Sequence, residues 1–246
     1  MGLFSNLDQG SEVKIEVEEE TLGGGGKWVK ETGVYDFIVK MAYGGQSKGG
    51  AYFIKMELET EDGKAMEVTE YITSGESKGT RPYYICKTTG KNKPLPGYSK
   101  MNAVDVILTG NAGQFPETVE KEIPIWNKEA EKKVPTKSQV VNGWIGQPIT
   151  ALVRCVREFK QAQNPTTKKW ENTTETRDVA EVIHFVDAVT GQTRSEKMAG
   201  KDAVVKPQFE SKYDSAFVYD KTKGAKSKST TPAASKAPAV SPFDSK

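Results

Sequence analysis

Apolar residues recur with a period of two in three runs near the start of the chain. Val34–Met41 places Tyr35, Phe37, Val39 and Met41 on one side. Ala51–Glu59 does the same with Tyr52, Ile54, Met56 and Leu58, and Lys64–Thr73 with Met66, Val68 and Ile72. A period of two is the mark of a strand with one buried face. The links between these runs are Gly-rich turn chemistry, and Asp62-Gly63 favours a tight hairpin. The pattern predicts three antiparallel strands joined as a meander.

The period then changes. Over Ser99–Gly110, Met101, Val104, Ile107 and Leu108 form one stripe at helical spacing, with Ser99 as a cap and Gly110 as the stop. Residues 111–143 are mixed and Pro-containing, with one short apolar piece at Ile123–Trp126. Alternation returns at Ile145–Phe159. A polar, turn-rich segment follows at 160–177, with Lys168, Lys169 and Trp170 at its tip, and the apolar run Arg177–Val189 reads as a last strand. Three meander strands, a helix and two more strands joined by a long polar loop is the order of an OB-fold. That fold is a five-stranded Greek-key barrel with a helix between strands 3 and 4, and it binds oligonucleotides on its strands and long loops. The sequence thus predicts a mainly β protein of this type.

Composition divides the chain further. The 246 residues carry a formal net charge of only +2, so any charged partner must be met by a local patch. Residues 1–26 hold one base against six acids and end in four glycines (Gly23–Gly26), an acidic segment with a flexible joint. Residues 219–246 hold six lysines against two aspartates among Ser, Ala and Pro, the composition of a disordered tail. The domain between them is 27–218. No secretory signal or membrane-length apolar run is present, and Asn6 departs from the myristoylation pattern that Met-Gly would begin. These features predict a cytoplasmic protein with reduced thiols at Cys86 and Cys155.

Catalytic chemistry finds little to work with. The one histidine, His184, lies in the apolar run Val182–Val186 and reads as a partly buried structural residue. Two distant cysteines and one histidine give no zinc-ligand spacing, and no nucleophile-elbow, zincin or phosphate-loop motif occurs. The residues predict no cofactor and no metal site. A two-metal nuclease built on Glu57, Glu59, Glu67 and Lys64 is the enzymatic alternative. A protein-interaction module that engages replication or transcription partners through the charged termini is another.

The segment Gly75–Lys100 is the strongest functional signal. It holds Lys78, Arg81, Lys87, Lys91, Lys93 and Lys100 against the single acid Glu76, with Tyr83, Tyr84 and Tyr98 among them. Single-stranded nucleic acid offers phosphates to cations and unstacked bases to aromatic faces. The segment supplies both, and Lys168, Lys169, Trp170 and Arg177 supply both again in the second loop. In an OB barrel the two loops can flank one groove. On an extended chain adjacent tyrosines point opposite ways, so one of Tyr83 and Tyr84 is expected to pack inward. Trp28 and Tyr71 are further candidates for stacking.

From Trp28 to Lys201 the chain resembles the single-stranded DNA-binding proteins of tailed, podovirus-type bacteriophages. The resemblance is carried in order by Ile72–Gly79, the pair Tyr83-Tyr84, Pro94–Tyr98, Ile107–Gly110, Ile145–Ile149 and Thr174–Val182. It implies an OB-fold that coats single-stranded DNA during replication, recombination or repair, without catalysis. Such proteins often end in an acidic tip that recruits partners. Here Pro242, Phe243 and Asp244 are similar to such a tip, but Lys246 ends a basic tail, a departure that puts tail-mediated recruitment in doubt.

Overall fold

The computed structural model describes residues 27–110, 116–127 and 130–223. The chain is mainly β, with 48% in strands against 17% in helices. The predicted meander is β2 (Gly33–Gln46), β3 (Tyr52–Glu59) and β4 (Lys64–Tyr71), paired antiparallel in sequence order, with a two-residue β1 (Lys27–Trp28) parallel to β4. Gly63 takes a left-handed φ of 76° in the β3–β4 turn, a conformation open to glycine at little cost.

Strand β2 serves three neighbours, β3 and two further strands, and it is bulged. Its register against β3 shifts between Val39 and Met41. Before the bulge Phe37 and Val39 face the main core; after it Met41 packs with Tyr43 in a separate cluster. The expected single face Tyr35–Met41 is therefore broken at Lys40, as an extra residue in a bulge requires. The first half of β2 pairs with β9 (Pro148–Gln163), and the far end pairs with β8 (Lys132–Val140). Strand β9 in turn pairs with β10 (Trp170–Val186) and, in parallel, with β11 (Val218–Asp220). Strand β7 (Val119–Asn127) completes a hairpin with β8.

The helix α1 (Pro96–Thr109) begins three residues before the predicted Ser99 cap. Pro96 presets the first helical φ, and the Ser99 N–H already donates to the Leu95 carbonyl at 3.0 Å. Gly97 allows this start: a Cβ there would lie 2.3 Å from the Tyr71 carbonyl oxygen. The helix stops at Gly110, as expected, with φ 75°. Met101, Val104 and Ile107 enter the main core with Ile54, Met56, Leu58, Ile149, Val153 and Phe185. Beside them the fully buried Trp144 donates from Nε1 to Asp105 Oδ1 at 2.9 Å. α1 packs on both β4 and β10, two strands that do not pair with each other, and the antiparallel sheet does not close into a barrel.

Two further helices, α2 (Arg194–Met198) and α3 (Val205–Lys212), follow β10. Phe209 of α3 packs with Leu152 and Val186, so β9 is buried on both faces and Thr150–Val153 shows continuous burial instead of alternation. β11 carries ordered structure to Asp220, two residues into the stretch assigned to the tail, and the Arg154 guanidinium lies 4.2 Å from the Tyr219 ring centroid. The acidic segment 1–26, and Pro242, Phe243 and Asp244, lie outside the described residues. Among the described residues no helix is long and apolar enough to cross a membrane.

Candidate nucleic-acid interface

The basic segment after β4 is not an open loop. A short 3-10 turn, Glu76–Lys78, leads into a two-stranded hairpin of β5 (Tyr83–Ile85) and β6 (Asn92–Pro94). Its base is fixed to the meander. The Glu76 N–H donates to the Gly49 carbonyl at 2.9 Å, and a Cβ on Gly75 would sit 2.5 Å from that same oxygen. The Arg81 N–H donates to Ser74 Oγ at 2.9 Å, and the Leu95 N–H to the Pro82 carbonyl at 2.9 Å. These bonds set the hairpin at the C-terminal end of β4.

Between hairpin, 3-10 turn and β4 lies a cleft of about 730 Å³. Lys78, Arg81, Tyr71, Tyr83 and Tyr84 all line it, with Glu70 as its one acidic wall residue. The Arg81 guanidinium stands 5.9 Å from the Tyr83 ring centroid, within cation–π range. Both tyrosines of the adjacent pair line the cleft, Tyr83, the more inward of the two, partly buried and Tyr84 exposed. Lys93 pairs across the hairpin with Tyr84, and Lys91 with Lys87 and the half-exposed Cys86 lies in its turn region, exposed. Hydrogen bonds from Thr89 and Thr88 hold the Cys86 thiol below its ordinary pKa.

Two candidates are committed elsewhere. Lys100 sits on α1 and forms an ion pair with Glu70, which occupies its ammonium. Tyr98 lies in the first turn of α1, partly buried, not in a loop.

The second candidate region forms the outer part of the long β9–β10 hairpin. Trp170 is 66% exposed at its tip, beside Lys168 and Lys169. Arg177 is bound to Glu158 Oε1 through Nε at 3.0 Å and Nη2 at 2.8 Å, and Lys160 pairs with Glu175 at 2.8 Å. Register separates this tip from the cleft. β9 leaves β2 at Gly33, opposite Val153, and continues past that end. The cleft lies at the other end, where Tyr71 pairs with Phe53 and Phe53 with Gly45. None of residues 160–177 lines the cleft.

Three of the four residues of the enzymatic alternative are engaged by neighbours. Glu67 pairs with Lys55 at 2.8 Å, Lys64 with Asp62 at 2.9 Å and Glu59 with Lys40 at 3.4 Å. Among the described residues no group of three or more His, Cys, Asp or Glu side chains is placed to hold a metal ion. His184 stands half-exposed at the rim of a hollow it shares with Lys100 and Arg194. Crowding by protein atoms and the Lys100 charge press its pKa down, against Glu196.

One aromatic was missed in the sequence. Phe53 stands edge-on to Tyr71, with ring centroids 6.0 Å apart. Its position opposite Tyr71 follows only from the β3–β4 register. No protein-family model matches the chain, and no curated protein matches it.

Proposed function

We propose that the protein is a sequence-tolerant single-stranded DNA-binding protein that coats and protects single strands during phage DNA replication, recombination or repair. The observation that carries this reading is the cleft in which Lys78 and Arg81 meet Tyr71, Tyr83 and Tyr84. Cations there neutralise phosphates, and the tyrosine faces stack on bases of any identity, each worth about 1–3 kcal/mol. Lys87, Lys91 and Lys93 extend the phosphate track along the hairpin. Lys168, Lys169 and Trp170 form a separate contact point at the far end of the sheet.

The fold within this reading is an opened OB-fold with additions, its strand path not closed into a barrel. Its supports are the strand path β4-β3-β2-β9-β10 and the position of α1, which lies between the third and fourth of those strands in sequence. The β7–β8 hairpin, β1 and β11 are the additions.

The test is a mobility shift at low salt with labelled oligo-dT, a mixed-sequence strand and a duplex. Comparable shifts with both single strands and none with the duplex support the reading. Absence of any shift, or cleavage of the strands when magnesium or manganese is added, overturns it.

A further inference from the structure

The β7–β8 hairpin projects from the sheet beside the cleft. β8 pairs with β2 only at Val140 and Gln139, opposite Tyr43 and Gly44. Because the two strands run antiparallel, the rest of β8 continues past the Gln46 end of β2. That is the end at which Tyr71 and the cleft lie, and the opposite end from the Trp170 tip. From Val140 to Lys133 the arm reaches about 23 Å, at about 3.3 Å per residue.

The two faces of the arm differ. Ile123 and Ile125 face the sheet, in a cluster with Tyr43, Val140, Met41 and Phe53. The other face carries three cross-strand pairs: Glu122 with Lys137, Pro124 with Pro135, and Trp126 with Lys133. Trp126 is 59% exposed, and Lys132 and Lys133 beside it are exposed. A large apolar ring next to two lysines at the end of a projecting hairpin lacks an explanation in packing. It has the composition of a stacking face with phosphate partners. Pro124 and Pro135 withhold backbone donors, which suits an exposed edge that does not recruit another strand.

A groove of about 370 Å³ lies between the base of this arm and the Gln46 end of the sheet. Tyr52, Phe53 and Ile72 line its sheet side, and Glu120 and Lys137 its arm side. Phe53, which lines this groove, stands edge-on to Tyr71, which lines the cleft, so one aromatic pair stands between the two hollows. Gly45 makes room for it: a Cβ there would lie 2.6 Å from Phe53 Cζ.

We propose that a single strand held in the cleft continues over Tyr71 and Phe53 into this groove, and that Trp126 with Lys133 forms a second stacking and phosphate-binding station at the end of the β7–β8 arm. The proposal rests on the single-strand reading above and adds the direction of the path.

The test uses the full chain and two oligo-dT lengths, one of about 4 nucleotides and one of about 16, the two ends of the site sizes such folds cover. Trp126→Ala is expected to weaken the long oligo roughly 5- to 150-fold and to leave the short one unchanged. Trp126→Phe, which keeps an aromatic face, is expected to restore long-oligo affinity while removing the share of tryptophan quenching that Trp126 supplies. Equal affinity of Trp126→Ala and wild type for the long oligo, with both binding it, overturns the arm and spares the cleft. A wild-type dimer that Trp126→Ala converts to a monomer in sedimentation overturns it too, since Trp126 then meets a second copy. Wild type that binds neither oligo overturns the single-strand reading itself.

Discussion

Glu196 ties the last two helices to each other, and its removal has a calculable effect. The side chain is 7% exposed. Its Oε2 accepts from the Thr193 N–H at 2.7 Å and hydroxyl at 2.9 Å; its Oε1 accepts from the N–H groups of Val204 and Val205 at 2.8 and 2.9 Å. Burial alone raises the carboxyl pKa, but those donors outweigh it and hold the group at about 2. A folded-state pKa below the unfolded one stabilises the fold above the unfolded value, and that stability is lost as pH falls through the folded value. A drop from 4.5 to about 2 corresponds to roughly 3 kcal/mol, and screening at a site near the surface reduces this to about 2 kcal/mol. Glu196→Gln presents an NH₂ to donors that need an acceptor. At pH 7 it is expected to lose about 2 kcal/mol in urea titration, or roughly 4–8 °C in melting temperature for a domain of this size. The gap between variant and wild type should close as pH falls from about 5 to 2, because the wild-type carboxyl then protonates. A gap that stays constant over that range, or no gap at pH 7, would refute the assignment of this stability to the carboxylate.

Other substitutions separate the cations by role. Arg81→Gln and Lys78→Gln should each flatten the salt dependence of single-strand binding by roughly 0.7 in slope, read by fluorescence titration at several salt concentrations. Lys100→Gln should leave that slope unchanged and lower the melting temperature instead, because the Lys100 ammonium is paired with Glu70. Asp105→Ala strands the Trp144 Nε1–H in the core and should cost about 1–3 kcal/mol in denaturant titration, with DNA affinity at saturating folded protein unaltered.

The parts of the fold that were readable in sequence are those governed by local periodicity. Phe37 and Val39, Ile54 to Leu58, and the α1 stripe Met101–Ile107 are buried as their spacing predicts. What escaped depends on distant partners. The bulge at Lys40 arises because β2 must serve β3, β8 and β9 together. The β5–β6 strands are three residues each, too short to show a period. In β7–β8 two prolines and six charged residues hid an alternation whose buried side is marked by Ile123, Ile125 and Val140. The basic and aromatic character of the 75–100 segment was legible, because charge and ring content need no tertiary context. The pairing of Lys100 with Glu70, thirty positions away, was not.

The central claim is that the cleft and its hairpin bind the phosphates and bases of a single strand. The most direct measurement is the affinity of the full chain for oligo-dT as a function of salt. Lys78, Arg81, Lys87, Lys91 and Lys93 acting together predict a slope of roughly −3.5 in log K against log salt, at about −0.7 for each phosphate neutralised on a single strand. Binding with that slope, reduced when Arg81 is neutralised, is the expected result; a slope near zero, or no binding at low salt, would contradict the account.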